Sequence, residues 1–201
     1  TEDGVDWYNV EDWGVEGRAF EDTDSYFDRL PGRAKGIVRD AVWNLSRHSA
    51  GMAVRFKTNS REIHVDYRLR SANLSMVHMP ATGVSGIDFY ARTEAGDDRW
   101  VQVARPTSQN VKARVVNGID PVSTDGRLFT AYLPLYNGVE RFELGVKAGS
   151  RFLPITPREN KPIVFYGTSI MHGACASRPG MTISGLLGRL YDMPTVNLGF
   201  S

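Results

Sequence analysis

Met52, Val54 and Phe56 alternate with Ala53, Arg55 and Lys57, and Asn59-Ser60-Arg61 then supplies a turn. Ile63, Val65, Tyr67 and Leu69 alternate in the same way with His64, Asp66 and Arg68. A period of two puts one side of each segment on a core and the other in water, as half-buried antiparallel strands require. Ile87, Phe89 and Ala91 continue the pattern, residues 94–98 turn, and Trp100 to Val103 returns. Leu128 to Leu133 and the set Phe142, Leu144 and Val146 flank Asn137-Gly138, a pair suited to a tight hairpin turn. Short strands at this spacing, with no long helix, predict a β-sandwich over residues 1–155. Residues 37–45 fit neither period and are left unassigned.

Past residue 155 the texture changes. Pro154, Pro157 and Pro162 punctuate a polar joint, so residues 156–162 read as a linker. Ile163-Val164-Phe165-Tyr166 is a continuous apolar run, the habit of a parallel strand covered on both faces. Met181 to Leu190 carries Ile183, Leu186, Leu187 and Leu190 at helical spacing, and Pro194 to Leu198 reads as a second buried strand. Residues 163–201 are therefore expected to form one βαβ unit. Such a fragment cannot cover both of its own faces, so Ile163 to Phe165 and Val196 to Leu198 are expected as exposed apolar edges, in need of further sequence or a second polypeptide.

Composition narrows the function classes. With 201 residues, 24 Lys+Arg against 23 Asp+Glu and no basic stripe, no nucleic-acid partner is expected. No apolar run approaches the ~20 residues of a membrane span. A single cysteine excludes an internal disulfide and a Cys-based zinc site, and no metal site is expected. Glu21, Asp22, Asp24 and Asp28 lack the Gly and the distal Glu of a calcium loop and read as a solvated acidic loop.

Candidate chemistry gathers where the apolar strand ends. In Tyr166-Gly167-Thr168-Ser169-Ile170 a serine follows a flexible glycine at a strand's C-terminal end, where its hydroxyl can enter the crevice in which α/β folds bind ligands. The Ser169 backbone N–H, at the start of a turn or helix, is placed to bond an oxyanion. The triplet alone is common and decides nothing. The longer run from Phe165 through Gly173-Ala174-Cys175-Ala176-Ser177-Arg178-Pro179-Gly180-Met181, however, resembles the SGNH, or GDSL-like, hydrolases, in the subfamily with a β-sandwich fused in front. Gly167-Thr168-Ser169-Ile170 is similar to the Gly-Asp-Ser-Leu block, with Thr168 in place of Asp. Asn197-Leu198-Gly199-Phe200-Ser201 resembles the start of the second block, Gly86-Ile87-Asp88-Phe89-Tyr90 the Gly-x-Asp-Leu-Tyr signature, and Leu133 to Val139 a further part of the fused domain.

The resemblance implies a flavodoxin-like, three-layer hydrolase domain beginning at residue 163, and Ser169 as the nucleophile of an acyl-ester hydrolase, with Gly167, Thr168, Asn197 and Gly199 supporting it. It implies no cofactor, a small-molecule or carbohydrate ester as substrate, an acetyl ester foremost, and export to the periplasm or medium, with which the start at Thr1 agrees. A serine hydroxyl needs a base. The family's base is a His preceded three residues earlier by Asp, and its second oxyanion donor lies in a Gly-x-Asn-Asp block. Neither pattern occurs around His48, His64, His78 or His172 or elsewhere in the chain. The rest of the hydrolase domain, from the same gene or as a second fragment, is the expected partner.

The remaining residues divide between chemistry and packing. His172 and Arg178 are expected at the mouth of the site. Cys175 reads as a small, semi-buried loop residue rather than a second nucleophile. Asp88 and Tyr90, on the outward face of their strand, are expected to pack the sandwich against the hydrolase domain. Trp7, Trp13 and Trp43 read as packing residues before a sugar platform. Asn44-Leu45-Ser46 and Asn73-Leu74-Ser75 match the glycosylation sequon. The competing readings are a carbohydrate- or protein-binding module without catalysis and a minimal hydrolase with His172 as base.

Overall fold

A computed structural model describes all residues, 1–201. Its strands are β1 (Val5–Asn9), β2 (Ala53–Thr58), β3 (Glu62–Leu69), β4 (Asp88–Arg92), β5 (Asp98–Val103), β6 (Asn110–Asn117), β7 (Arg127–Tyr132), β8 (Val139–Lys147) and β9 (Phe152–Ile155), followed by β10 (Ile163–Gly167) and β11 (Thr195–Gly199). The first nine make two antiparallel sheets, in the orders β1-β8-β3-β6 and β5-β4-β7-β2-β9. The alternating residues meet between them. Phe56, Val65, Tyr67, Phe89, Phe129 and Phe142 belong to one fully buried cluster. Two inner faces that interdigitate in this way define a sandwich core.

The turns behave less simply than the pattern predicts. Residues 94–98 do join a hairpin, β4 to β5. Asn137-Gly138 does not, because β7 and β8 lie in different sheets and the chain crosses between them. Asn137 is instead buried, donating from Nδ2 to the Ser71 carbonyl and to Ser85 Oγ, each at 3.0 Å, and accepting from the Ser71 amide at 3.0 Å. Its side chain staples two loops where the pattern predicts a hairpin. Residues 59–61 likewise change sheets, with Ser60 buried. Pro154 falls inside β9, the edge strand, where a missing N–H interrupts no ladder.

The unassigned stretch yields the short helix α1 (Asp40–Ser46); α2 (Ala81–Val84), α3 (Ser169–His172) and α4 (Ile183–Leu190) are the other α-helical segments. The acidic loop before α1 is not simply solvated. Asp28 is 2% exposed, pairs with Arg47 Nε at 2.7 Å and accepts the Ser25 amide at 2.9 Å.

Residues 156–162 carry no regular structure. β10 and β11 pair in parallel, Ile163 opposite Thr195 through Gly167 opposite Gly199, with α3 and α4 between them in sequence. β11 is covered, with Val196 and Asn197 buried, whereas β10 leaves Val164 and Tyr166 56% and 83% exposed. The expected exposed edge is thus confined to β10. Thr182 caps α4, accepting the Gly185 amide at 3.1 Å, and the helix buries Ser184, Gly185 and Gly188. Its apolar residues Leu186 and Leu190 point outward, the reverse of the face the spacing selects.

Candidate active site

Ser169 stands one residue past the Thr168 that follows β10, at the first position of α3, and is half-buried. Its carbonyl accepts the amides of Gly173 and Ala174 at 3.0 and 2.8 Å, while the Thr168 carbonyl accepts that of His172 at 3.0 Å. The turn is therefore tied by its backbone, and the Ser169 hydroxyl bonds to no side chain or backbone group of the chain. α3 ends at Gly173, whose φ of +116° suits only glycine.

Gly199 brings the neighbouring strand in. A methyl group there would stand 2.2 Å from the His172 backbone nitrogen, so only glycine lets β11 lie against α3. Gly167 is half-buried beside Met171 and Thr168 is exposed. Asn197 is 1% exposed and donates from Nδ2 to the Met171 carbonyl at 2.7 Å, while its Oδ1 accepts the Gly199 amide at 2.9 Å. Asn197 and Gly199 thus build the floor under α3 instead of facing solvent.

His172 is not at a pocket mouth. It is fully enclosed, stacked on the Tyr136 ring at 4.0 Å, with Nε2 2.6 Å from the Leu135 carbonyl. Arg29 Nη2 also stands 3.3 Å from Nε2. A carbonyl only accepts and a guanidinium only donates, so the shorter Leu135 contact assigns the proton to Nε2. The Arg29 contact is then no hydrogen bond, and Nδ1 is left buried without a partner. Burial, reinforced by the nearby Arg29 charge and by His48, pushes its pKa down to about 2. An imidazole so neutral and so turned toward the sandwich does not activate Ser169. His48, read as a loop histidine, is half-buried 5.7 Å away, its pKa lowered by burial to about 4. His64 sits on β3 within 3.5 Å of Glu62, and His78 is exposed.

Arg178 lies over the Trp100 ring at 4.6 Å and 3.6 Å from Asp88. It lines a broad cleft between the β4–β5 hairpin and α4, and Ser169 is not part of that cleft. Asp88 accepts the Gly180 amide at 2.9 Å and the Trp100 indole N–H at 2.8 Å, and Arg189 covers Tyr90 at 3.8 Å. Both outward residues of β4 therefore pack on the segment after α3, as their position predicts. Burial raises the Asp88 pKa to about 6. Cys175 is exposed, with φ +63°. Trp13 and Trp43 pack inward, and Trp7 lies beneath Lys112.

Sequence reasoning overlooked Arg29. This 1%-exposed guanidinium from the sandwich donates to the carbonyls of Leu45 (2.7 Å), His48 (2.8 Å) and Gly199 (2.8 Å), and has no carboxylate partner. Burial lowers its pKa to about 9. An arginine in a polar stretch beside acids reads as surface; only its depth in the fold marks it.

The fold is thus a nine-stranded sandwich that clasps a parallel strand pair carrying a serine at the strand end. Residues 5–152 match the family model for the N-terminus of SGNH-hydrolase-type esterases, and residues 160–201 match the GDSL-like lipase/acylhydrolase family. The chain belongs to this SGNH-type esterase family, and the membership supports an esterase-type function. Among solved structures it is similar to a Bacteroides ovatus protein described as a GDSL-like lipase, with 26% identity and a TM-score of 0.87 over 98% of this chain and 57% of that one. It is also similar in fold to the salicylyl-acyltransferase SsfX3 from a tetracycline biosynthetic pathway, with 14% identity and a TM-score of 0.63 over 100% and 55% of the two chains. The chain thus spans a little over half the length of these structural relatives. No curated protein matches it.

Proposed function

We propose that this chain is the N-terminal part of a serine ester hydrolase in which Ser169 attacks an acyl ester and carries the acyl-enzyme. The observation that supports this most is the placement of Ser169: half-buried after a parallel strand, its hydroxyl free, its turn fixed by backbone bonds, within a segment that matches the acylhydrolase family. Attack by Oγ on the carbonyl carbon expels the alcohol and leaves an acyl-serine, and water then returns the acid and the free enzyme. The Ser169 backbone N–H is the candidate donor to the tetrahedral oxyanion.

The base and the remaining oxyanion donors come, on this reading, from sequence beyond residue 201, and no cofactor is required. Residues 163–201 are the opening βαβ unit of a flavodoxin-like domain, joined to the sandwich through 156–162. The exposed Val164, Tyr166, Leu186 and Leu190 are the faces on which the rest of that domain packs. A carbohydrate acetyl ester is the first substrate to test, and export the expected location.

A fluorophosphonate probe on the full-length protein tests the nucleophile. Labelling at Ser169, abolished together with aryl-acetate hydrolysis in Ser169→Ala, is the expected result. Undiminished hydrolysis in that variant would remove Ser169 from the chemistry.

A further inference from the structure

We infer that Arg29, on the sandwich, is a positioning residue that holds the Ser169 turn in its reactive geometry. The inference rests on the proposed role of Ser169. Two hydrogen-bonded routes run from Nη1 of this guanidinium to residues 167–172, and Nη2 stands 3.3 Å from His172 Nε2. On the first, Nη1 donates to the Gly199 carbonyl at 2.8 Å, and the N–H of the same peptide unit, on Phe200, donates to the Gly167 carbonyl at 3.0 Å. Gly167 is two residues before the nucleophile. On the second, Nη1 lies 3.3 Å from Asn197 Oδ1, and the Asn197 amide donates to the Met171 carbonyl at 2.7 Å, inside α3. The two routes grip the nucleophile turn from both ends.

The far side of the guanidinium is anchored in the sandwich, on the Leu45 and His48 carbonyls. Bonds from a charged donor polarise the peptides beyond them, so this route is stiffer than a chain of neutral contacts. Lysine keeps the charge but lacks the planar fork that reaches carbonyls on opposite sides at once. A buried arginine paired only with carbonyls is costly to desolvate. Its position, spanning the sandwich and the Ser169 turn, gives that cost a function: the sandwich sets the site's geometry as well as preceding it in the chain.

The test compares Arg29→Lys with Arg158→Met in the full-length protein. Arg158 also joins the sandwich to the C-terminal segment, through Glu16 at 2.7 Å and Asp192 at 3.0 Å, but bonds to nothing in 167–172. In Arg29→Lys, kcat for an aryl acetate and the rate of fluorophosphonate labelling fall about 30- to 100-fold, while KM stays within about 3-fold, since a small misplacement of a reacting group has effects of this size. The amides of His172, Gly173 and Ala174 exchange with solvent faster, and those of the sandwich core do not. Arg158→Met lowers stability and leaves kcat unchanged. Arg29→Lys with wild-type kcat and exchange overturns the inference, as does loss of protection throughout the molecule, which would make Arg29 a support of the whole fold. If the wild type never labels at Ser169, the proposed chemistry fails, and unchanged exchange at 172–174 then separately overturns Arg29's hold on the turn.

Discussion

His172 is buried and His48 half-buried, and each keeps a neutral ring with an enclosed, unpartnered Nδ1. Both take up protons more readily in the unfolded chain, near pH 6.5, than in the fold, so stability is full above that pH and is lost as pH falls toward 4. Asp88 works in the opposite sense. Its folded pKa of about 6 lies above the unfolded value of 3.8, so its contribution is present at low pH and is lost as pH rises through 6. Asp28, also pushed up by burial, acts with Asp88, while the lowered Asp6, Glu62 and Asp192 act with the two histidines. The histidines carry the larger shifts, and urea midpoints are expected to drop from pH 7 to pH 4. His48→Asn should flatten that slope; an unchanged slope would show that His48 is not buried neutral. Gly51 gives a second residue-scale test. Its φ is +81°, and a methyl group there would stand 2.3 Å from Asn197 Cβ. Gly51→Ala combines left-handed strain with overpacking and is expected to lower stability by about 3 kcal/mol in urea denaturation.

At the scale of elements, the strands follow from alternation because water and core are the only two environments a sheet face meets. Phe129 on β7 stacks on Phe56 of β2 at 5.4 Å, both fully buried, so Phe129→Ala is expected to cost about 4 kcal/mol, read as a lowered urea midpoint with unchanged slope. Asn137 shows where local rules stop. Asn-Gly permits a hairpin, but strand partners are chosen by the sheets, and β7 and β8 end in different ones. The α4 helix is the converse case. Spacing identifies a helix and its apolar stripe correctly, yet Ser184, Gly185 and Gly188 form the side packed in this structure, because small residues allow the helix to approach β11 closely, as at Gly188 and Thr195.

For the whole molecule, the sandwich and the C-terminal segment are joined by specific polar contacts, Arg29 on β11, Asp88 on Gly180, Glu16 on Arg158 and Thr82 Oγ1 donating to the Ser177 carbonyl at 2.7 Å, beside the His172–Tyr136 stack and Ala176 on the Leu135 cluster. The opposite side of that segment is apolar and open. Residues 1–201 produced alone are therefore expected to self-associate with rising concentration, and Tyr166→Lys to suppress it, as measured by sedimentation velocity. A monomer at all concentrations would show that this face needs no cover.

The sequence by itself determined most of the strands, though not β1, β6 or β9, together with the change of texture near residue 155, the serine at a strand end and, through several motifs in order, the family. These are properties of short windows, set by backbone periodicity and by local backbone geometry. Only the tertiary structure decided which turns are hairpins, which side of α4 is covered, and that His172 is sealed away from the surface. It alone brought Arg29 to Gly199 across 170 residues. Such contacts depend on how two sheets and a parallel pair stack in space, and no local pattern encodes the distance between residues that meet only after the chain has packed.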